Sequence, residues 1–212
     1  MRADLGHWLH WWNAVRARGD GAGVHARLCL AYAEKPRRYH TLEHIAACLQ
    51  RFDDLRDLCR DPHAVEMAIW FHDAVYAPRR ADNEARSAAW ALQVAADAGL
   101  DAAFGAAVAR LIEATSHATT PDGDPDLAVL IDADLAILAA NADAFAAYEA
   151  GVRSEYEWVP AEHFRERRIA ILEGFLARPA IFSTKRMREA CEAPARQNLI
   201  RSIARLRAGV GG

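Results

Sequence analysis

The chain has 212 residues, of which 52% are hydrophobic and 26% charged, with a formal net charge of −3. That balance belongs to a folded globular protein and excludes disordered and collagen-like classes. The small net charge provides no field that would gather nucleic acid or an anionic membrane. Four cysteines, Cys29, Cys48, Cys59 and Cys191, form no Cys-x-x-Cys pair and read as small core residues in a reducing compartment. The N-terminus lacks the basic-then-apolar pattern of a signal peptide. Asp132, Asp134 and Asp143 interrupt the best apolar run, so the sequence predicts a soluble, cytoplasmic protein with no membrane partner.

Helix formers dominate, and alternating β-branched runs between paired turn signals are absent. The periodicity predicts helices over 4–18, 24–34, 41–58, 62–75, 83–98, 102–116, 126–139, 142–157, 161–177 and 195–208. Thr41, Asp61 and Asp101 stand at N-cap positions, and Pro194 reads as a first-turn proline. Breaks fall at Gly19-Asp20-Gly21, Ala77-Pro78-Arg79, Pro121-Asp122-Gly123-Asp124-Pro125 and Arg178-Pro179. None is long enough for an interdomain linker, and no internal repeat is present. The expectation is one all-α domain over 1–212, a bundle of roughly ten helices.

Three helices carry polar residues on their apolar faces. Over 62–75, Val65, Ala68, Ile69, His72 and Tyr76 recur at helical spacing, which puts His72 on the buried stripe with Asp73 beside it. Over 126–139, Leu127, Leu130, Ile131, Asp134 and Leu138 repeat that spacing, so Asp134 faces the core. Asp132 lies about 200° round the helix from Asp134 and points elsewhere. Over 41–58, Thr41, His44, Ile45, Cys48, Phe52 and Leu55 share one face, so His44 also looks inward.

A single inward histidine is more often a hydrogen-bonded core residue than a ligand. Two histidines and two aspartates on three core faces form a mixed nitrogen and oxygen donor set for a divalent cation, which would offset the burial cost of each. His44, His72, Asp73 and Asp134 are therefore the candidate metal ligands. That set accepts Mn, Fe, Co, Ni, Zn or Mg.

The order His44, His72-Asp73, Asp134 resembles the H…HD…D signature of the HD superfamily of metal-dependent phosphohydrolases. Tyr39-His40-Thr41-Leu42-Glu43-His44-Ile45 and Trp70-Phe71-His72-Asp73-Ala74-Val75-Tyr76 resemble one bacterial branch of HD phosphohydrolases. Asn83-Glu84, Ser87-Ala88, Asp132-Ala133-Asp134-Leu135 and Glu155-Tyr156 extend the similarity over most of the chain. The resemblance implies the helical HD fold and hydrolysis of a small phosphorylated substrate.

Tyr39-His40 and His44 are also similar to the Tyr-His-x-x-x-His element of cyclic-nucleotide phosphodiesterases. That similarity implies His40 as the acid that protonates the leaving oxygen, with His44 as ligand. Asp73 then doubles as a water-orienting group. Glu84 is implied as a water-activating carboxylate, although a glutamate in a first helical turn is also favoured by the macrodipole. His117, Arg38 and Arg79 are candidate substrate contacts, the arginines because their fork suits phosphate. Two other classes compete: a di-iron oxygenase on the HD fold, which would need His117 and Glu84 as extra ligands, and a non-catalytic module that keeps its metal for structure. Oligomeric state is left open.

Overall fold

The computed structural model describes residues 3–116 and 123–209. Among these residues there is no strand, and the fold is all-α. Ten α-helices follow in chain order: α1 (Leu5–Ala14), α2 (Gly21–Tyr32), α3 (Leu42–Leu55), α4 (Pro62–Phe71), α5 (Asn83–Asp97), α6 (Ala102–Glu113), α7 (Pro125–Asp134), α8 (Ala142–Glu155), α9 (Ala161–Ala177) and α10 (Lys185–Arg207). Among the described residues no helix is long and apolar enough to cross a membrane.

The chain divides into two compact units, Met1–Ala133 and Asp134–Gly212. The division falls at the last residue of α7. In the first unit α4 is the centre: Ala64 through Phe71 are all buried, and α3, α5 and α6 pack against it. That all-round burial follows from a sequence that is apolar on nearly every face. Asp61 caps α4 by accepting from the His63 and Ala64 amides at 3.0 Å each, and Pro62 occupies the first turn, where its missing N–H costs nothing. The α1 tryptophans pack at i, i+3, i+4: Trp8 donates to the Gly21 carbonyl at 2.7 Å and Trp11 to the His63 carbonyl at 3.2 Å. Helices α5 and α6 meet closely because Gly105 has no side chain; a Cβ there would lie 3.0 Å from Leu92 Cδ1.

A buried ion-pair group ties α1 and the turn after α3 to α4. Glu66 is 4% exposed, receives Arg56 Nη1 at 2.6 Å and lies 3.1 Å from His7 Nε2. Burial alone would raise its carboxyl pKa, but the hydrogen bonds from His7 and Arg56 outweigh that and hold it below the ordinary value.

In the second unit α10 packs on α9 and on the short 3-10 turn Leu135–Ala139. Asn198 donates to the carbonyls of Leu138 and Ala140 at 2.8 and 2.9 Å, which satisfies two groups the turn leaves over. Helix α10 differs from the sequence reading. It begins at Lys185, capped by the Thr184 hydroxyl, and runs through Pro194 rather than starting there. Proline costs a helix one hydrogen bond. Glu192 and Arg196 fasten the helix on either side of it, Glu192 by accepting from the Ile181 and Phe182 amides and Arg196 by donating to the Leu176 and Arg178 carbonyls.

Candidate metal centre

His44 stands in the first turns of α3, whose start is set by Thr41 accepting from the Glu43 amide at 3.3 Å. Its imidazole is buried, at 5% exposed. Helix α4 stops at Phe71, earlier than the predicted 75, so His72 is its C-cap and Asp73 lies in the turn beyond. The early stop has a chemical use. His72 Nδ1 lies 2.9 Å from the Ile69 carbonyl, which can only accept, so Nδ1 carries the proton and Nε2 presents a lone pair. Fixing one ring nitrogen on a backbone carbonyl is how a metal-ligating histidine is oriented.

That Nε2 lies 3.2 Å from His44 Nε2. Asp73 Oδ2 is 3.3 Å from His72 Nε2 and 3.6 Å from His44 Nε2. Three donors with these separations share a point roughly 2.0 Å from each, the bond length of a divalent transition metal to imidazole nitrogen or carboxylate oxygen. Burial would push the Asp73 carboxyl up; the imidazoles of His72, His40 and His44 gathered around it overcome this and hold it well below the carboxylate range. The donor set fits a metal ion.

Asp134, the last residue of α7 and partly buried, belongs to the same group. One donor atom from each of His44, Cys48, His72 and Asp134 lies within 4.8 Å of all the others. Cys48 was read from sequence only as core. Its sulfur is 3.7 Å from both ring nitrogens of His44. The signal was available: Cys48 is one turn beyond His44 on the same face. A thiol beside two imidazoles moves the donor set toward Zn, Fe or Co and away from Mg.

Asp132, which helical phase turns away from Asp134, is 0% exposed, because α7 is buried on that side as well. It is a buried carboxylate in its own right.

The segments that carry the donors are pinned by polar side chains. Arg37 is 4% exposed and donates to the carbonyls of His40 and Asp73 at 2.9 and 2.8 Å and of Ala74 at 3.0 Å. Its guanidinium lies between the rings of Tyr32 and Tyr76, 5.0 and 5.2 Å from their centres. It is a strut between the segment that carries His40 and the one that carries Asp73. Asn83 and Ser87 of α5 hold the chain beyond Asp73. Asn83 accepts from the Ala77 amide at 3.0 Å and donates to its carbonyl at 3.1 Å, and Ser87 does the same for Val75 at 3.0 and 3.4 Å.

His40 is partly exposed, outside α3, with its ring stacked on Tyr76 at 4.5 Å and its centre 6.0 Å from that of His44. Glu84 occupies the first turn of α5, partly exposed, and no hydrogen bond or ion pair joins it to the donors. Arg38 and Arg79 are exposed in the loops that bear His40 and follow Asp73. His117 lies outside the described residues. In comparisons with known proteins, no family model, no curated protein and no solved structure matches this chain.

Proposed function

We propose that this chain, read as one HD-type domain, is a metal-dependent phosphohydrolase acting on a phosphate ester of a small metabolite. The observation that carries the reading is the mutual separation of His44 Nε2, His72 Nε2 and Asp73 Oδ2 by 3.2, 3.3 and 3.6 Å, with Asp134 beside them. The histidine-aspartate order that resembles the HD signature supports it, since each of its four residues belongs to this group. When bound, a divalent ion there neutralises phosphate charge and acidifies water.

The chain's own residues do the rest. Asp73, held ionised, orients the attacking water through hydrogen bonding. His40, fixed by its stack on Tyr76 and by Arg37 on its carbonyl, protonates the leaving oxygen. Arg38 and Arg79 offer exposed forks to the phosphate, and Glu84 assists the water from the α5 terminus. The test is turnover of a phosphoester panel by protein reconstituted in turn with Mn, Fe, Co, Ni, Zn and Mg. Hydrolysis that a chelator abolishes and His72→Ala removes is expected. Absence of turnover from every metal form, with metal bound, would contradict catalysis.

If His40 is the acid, His40→Ala keeps metal occupancy but slows hydrolysis of alkyl phosphates by about 10²–10⁴-fold. The loss shrinks for nitrophenyl esters, whose leaving group needs no proton. Loss of metal in that variant would make His40 a ligand instead.

A further inference from the structure

The second unit contains a cleft of about 360 Å³ lined by α8, α9 and α10. Helical phase builds it. On α8, Ala146, Glu149, Ala150 and Arg153 follow i, i+3, i+4, i+7 and share one face. The small residues there leave space, where larger apolar ones would have packed it shut.

Three arginines are among the residues that line this space. Arg168 of α9 is 9% exposed, donates to the Tyr148 hydroxyl at 2.8 Å and lies 5.1 Å from that ring's centre. Arg153 donates to the carbonyls of Tyr156 and Val159 at 2.8 and 3.3 Å and sits 4.8 Å from the centre of the Phe164 ring. Arg205 of α10 reaches the cleft from an exposed position. Among the described residues, none of the three pairs with a carboxylate. A buried guanidinium whose partners are a neutral phenol and a ring face keeps much of its desolvation cost, which an anion would relieve. Two carboxylates also line the cleft, Glu149, which accepts from the Ser202 hydroxyl, and Glu157, which is exposed. A ligand held here therefore carries donors as well as negative charge.

We infer that this cleft binds a small hydroxyl-rich oxyanion, a sugar phosphate or a sugar acid. The anionic head meets the arginines in their bidentate geometry, and ligand hydroxyls donate to Glu149 and Glu157. The volume is at the small end of ligand pockets, which run from roughly 300 to 1,000 Å³, and suits one sugar rather than a dinucleotide. None of the lining residues is a metal donor, so the site is independent of the proposed hydrolysis.

The test is calorimetric titration of the full, chelator-treated chain with ribose 5-phosphate and with gluconate at fixed ionic strength. Binding of either is expected, and which one binds tells phosphate from carboxylate. Arg205→Ala, an exposed change that leaves folding intact, weakens it about tenfold, the scale of one charge-assisted hydrogen bond. Ala150→Leu, which fills the cleft without altering charge, also abolishes or weakens binding. His72→Ala leaves it unchanged. Absence of binding by both ligands would overturn the inference. So would binding that survives Arg205→Ala and Ala150→Leu but is lost in His72→Ala, which would place the anion at the metal cluster.

Discussion

His72 shows what a single residue has to satisfy at this site. Its Nδ1 is committed to the Ile69 carbonyl, so its Nε2 meets His44 Nε2 with a lone pair. Two lone pairs 3.2 Å apart repel unless a proton or a cation lies between them. On the proposed reading His72→Ala, Asp73→Ala and Asp134→Ala each abolish retention of the metal, as elemental analysis after desalting would report. Asp132→Ala behaves differently from all three. The residue is wholly buried, so its loss strands whatever it bonds and costs about 1–3 kcal/mol in a denaturant titration, with metal content unchanged. Metal lost from Asp132→Ala, with Asp134→Ala mild, would exchange their roles.

At the scale of the elements, helical periodicity located the site better than it located the ends of its helices. The phase of Val65, Ala68 and Ile69 brought His72 inward correctly, yet α4 stops at Phe71: the His72 amide makes a last helical bond to the Ala68 carbonyl, and the Ala74 amide then bonds the Phe71 carbonyl in a turn. Periodicity cannot register that stop, since apolar residues continue through Ala74-Val75-Tyr76 in the loop. Pro194 misplaced the start of α10 for a related reason: a proline is read as a boundary, and tertiary bonds from Glu192 and Arg196 override it. Cys48 was legible as a core position one turn beyond His44, whereas its closeness to Asp134 depends on where α7 packs, which spacing within α3 does not register.

Arg37 was legible only as charge. Its three carbonyl partners come from segments 36 and 37 residues apart as well as from its own loop. Arg37→Met keeps the packing against Tyr32 and Tyr76 but leaves those carbonyls without their donor. We expect a loss of roughly 3 kcal/mol, the scale of bonds to a charged donor, measured by chemical unfolding. No change in stability would mean that the loop is held by other contacts.

For the molecule as a whole, acid stability tests the burial of charge in the first unit. Glu66 faces His7 and Arg56, and its carboxyl is held below its ordinary value of 4.5. A group whose pKa is lower in the folded state stabilises the fold above the unfolded value and loses that contribution as pH falls through the folded one. Stability should therefore decline as pH drops below the ordinary carboxylate range, and Glu66→Gln should make that decline shallower while lowering stability at neutral pH. An unchanged acid limb in Glu66→Gln would assign the loss to other carboxylates.

On the proposed reading, the imidazoles of His44 and His72 and the partly buried carboxylates of Asp73 and Asp134 gather a catalytic metal. The most direct measurement is the elemental metal content of the purified full chain beside that of His72→Ala, both folded by circular dichroism. A stoichiometric divalent transition metal is expected in the wild type, retained through desalting, and its loss from His72→Ala. A wild-type protein that binds no divalent metal on reconstitution, or a His72→Ala protein that keeps it in full, would rule out a metal centre at this cluster.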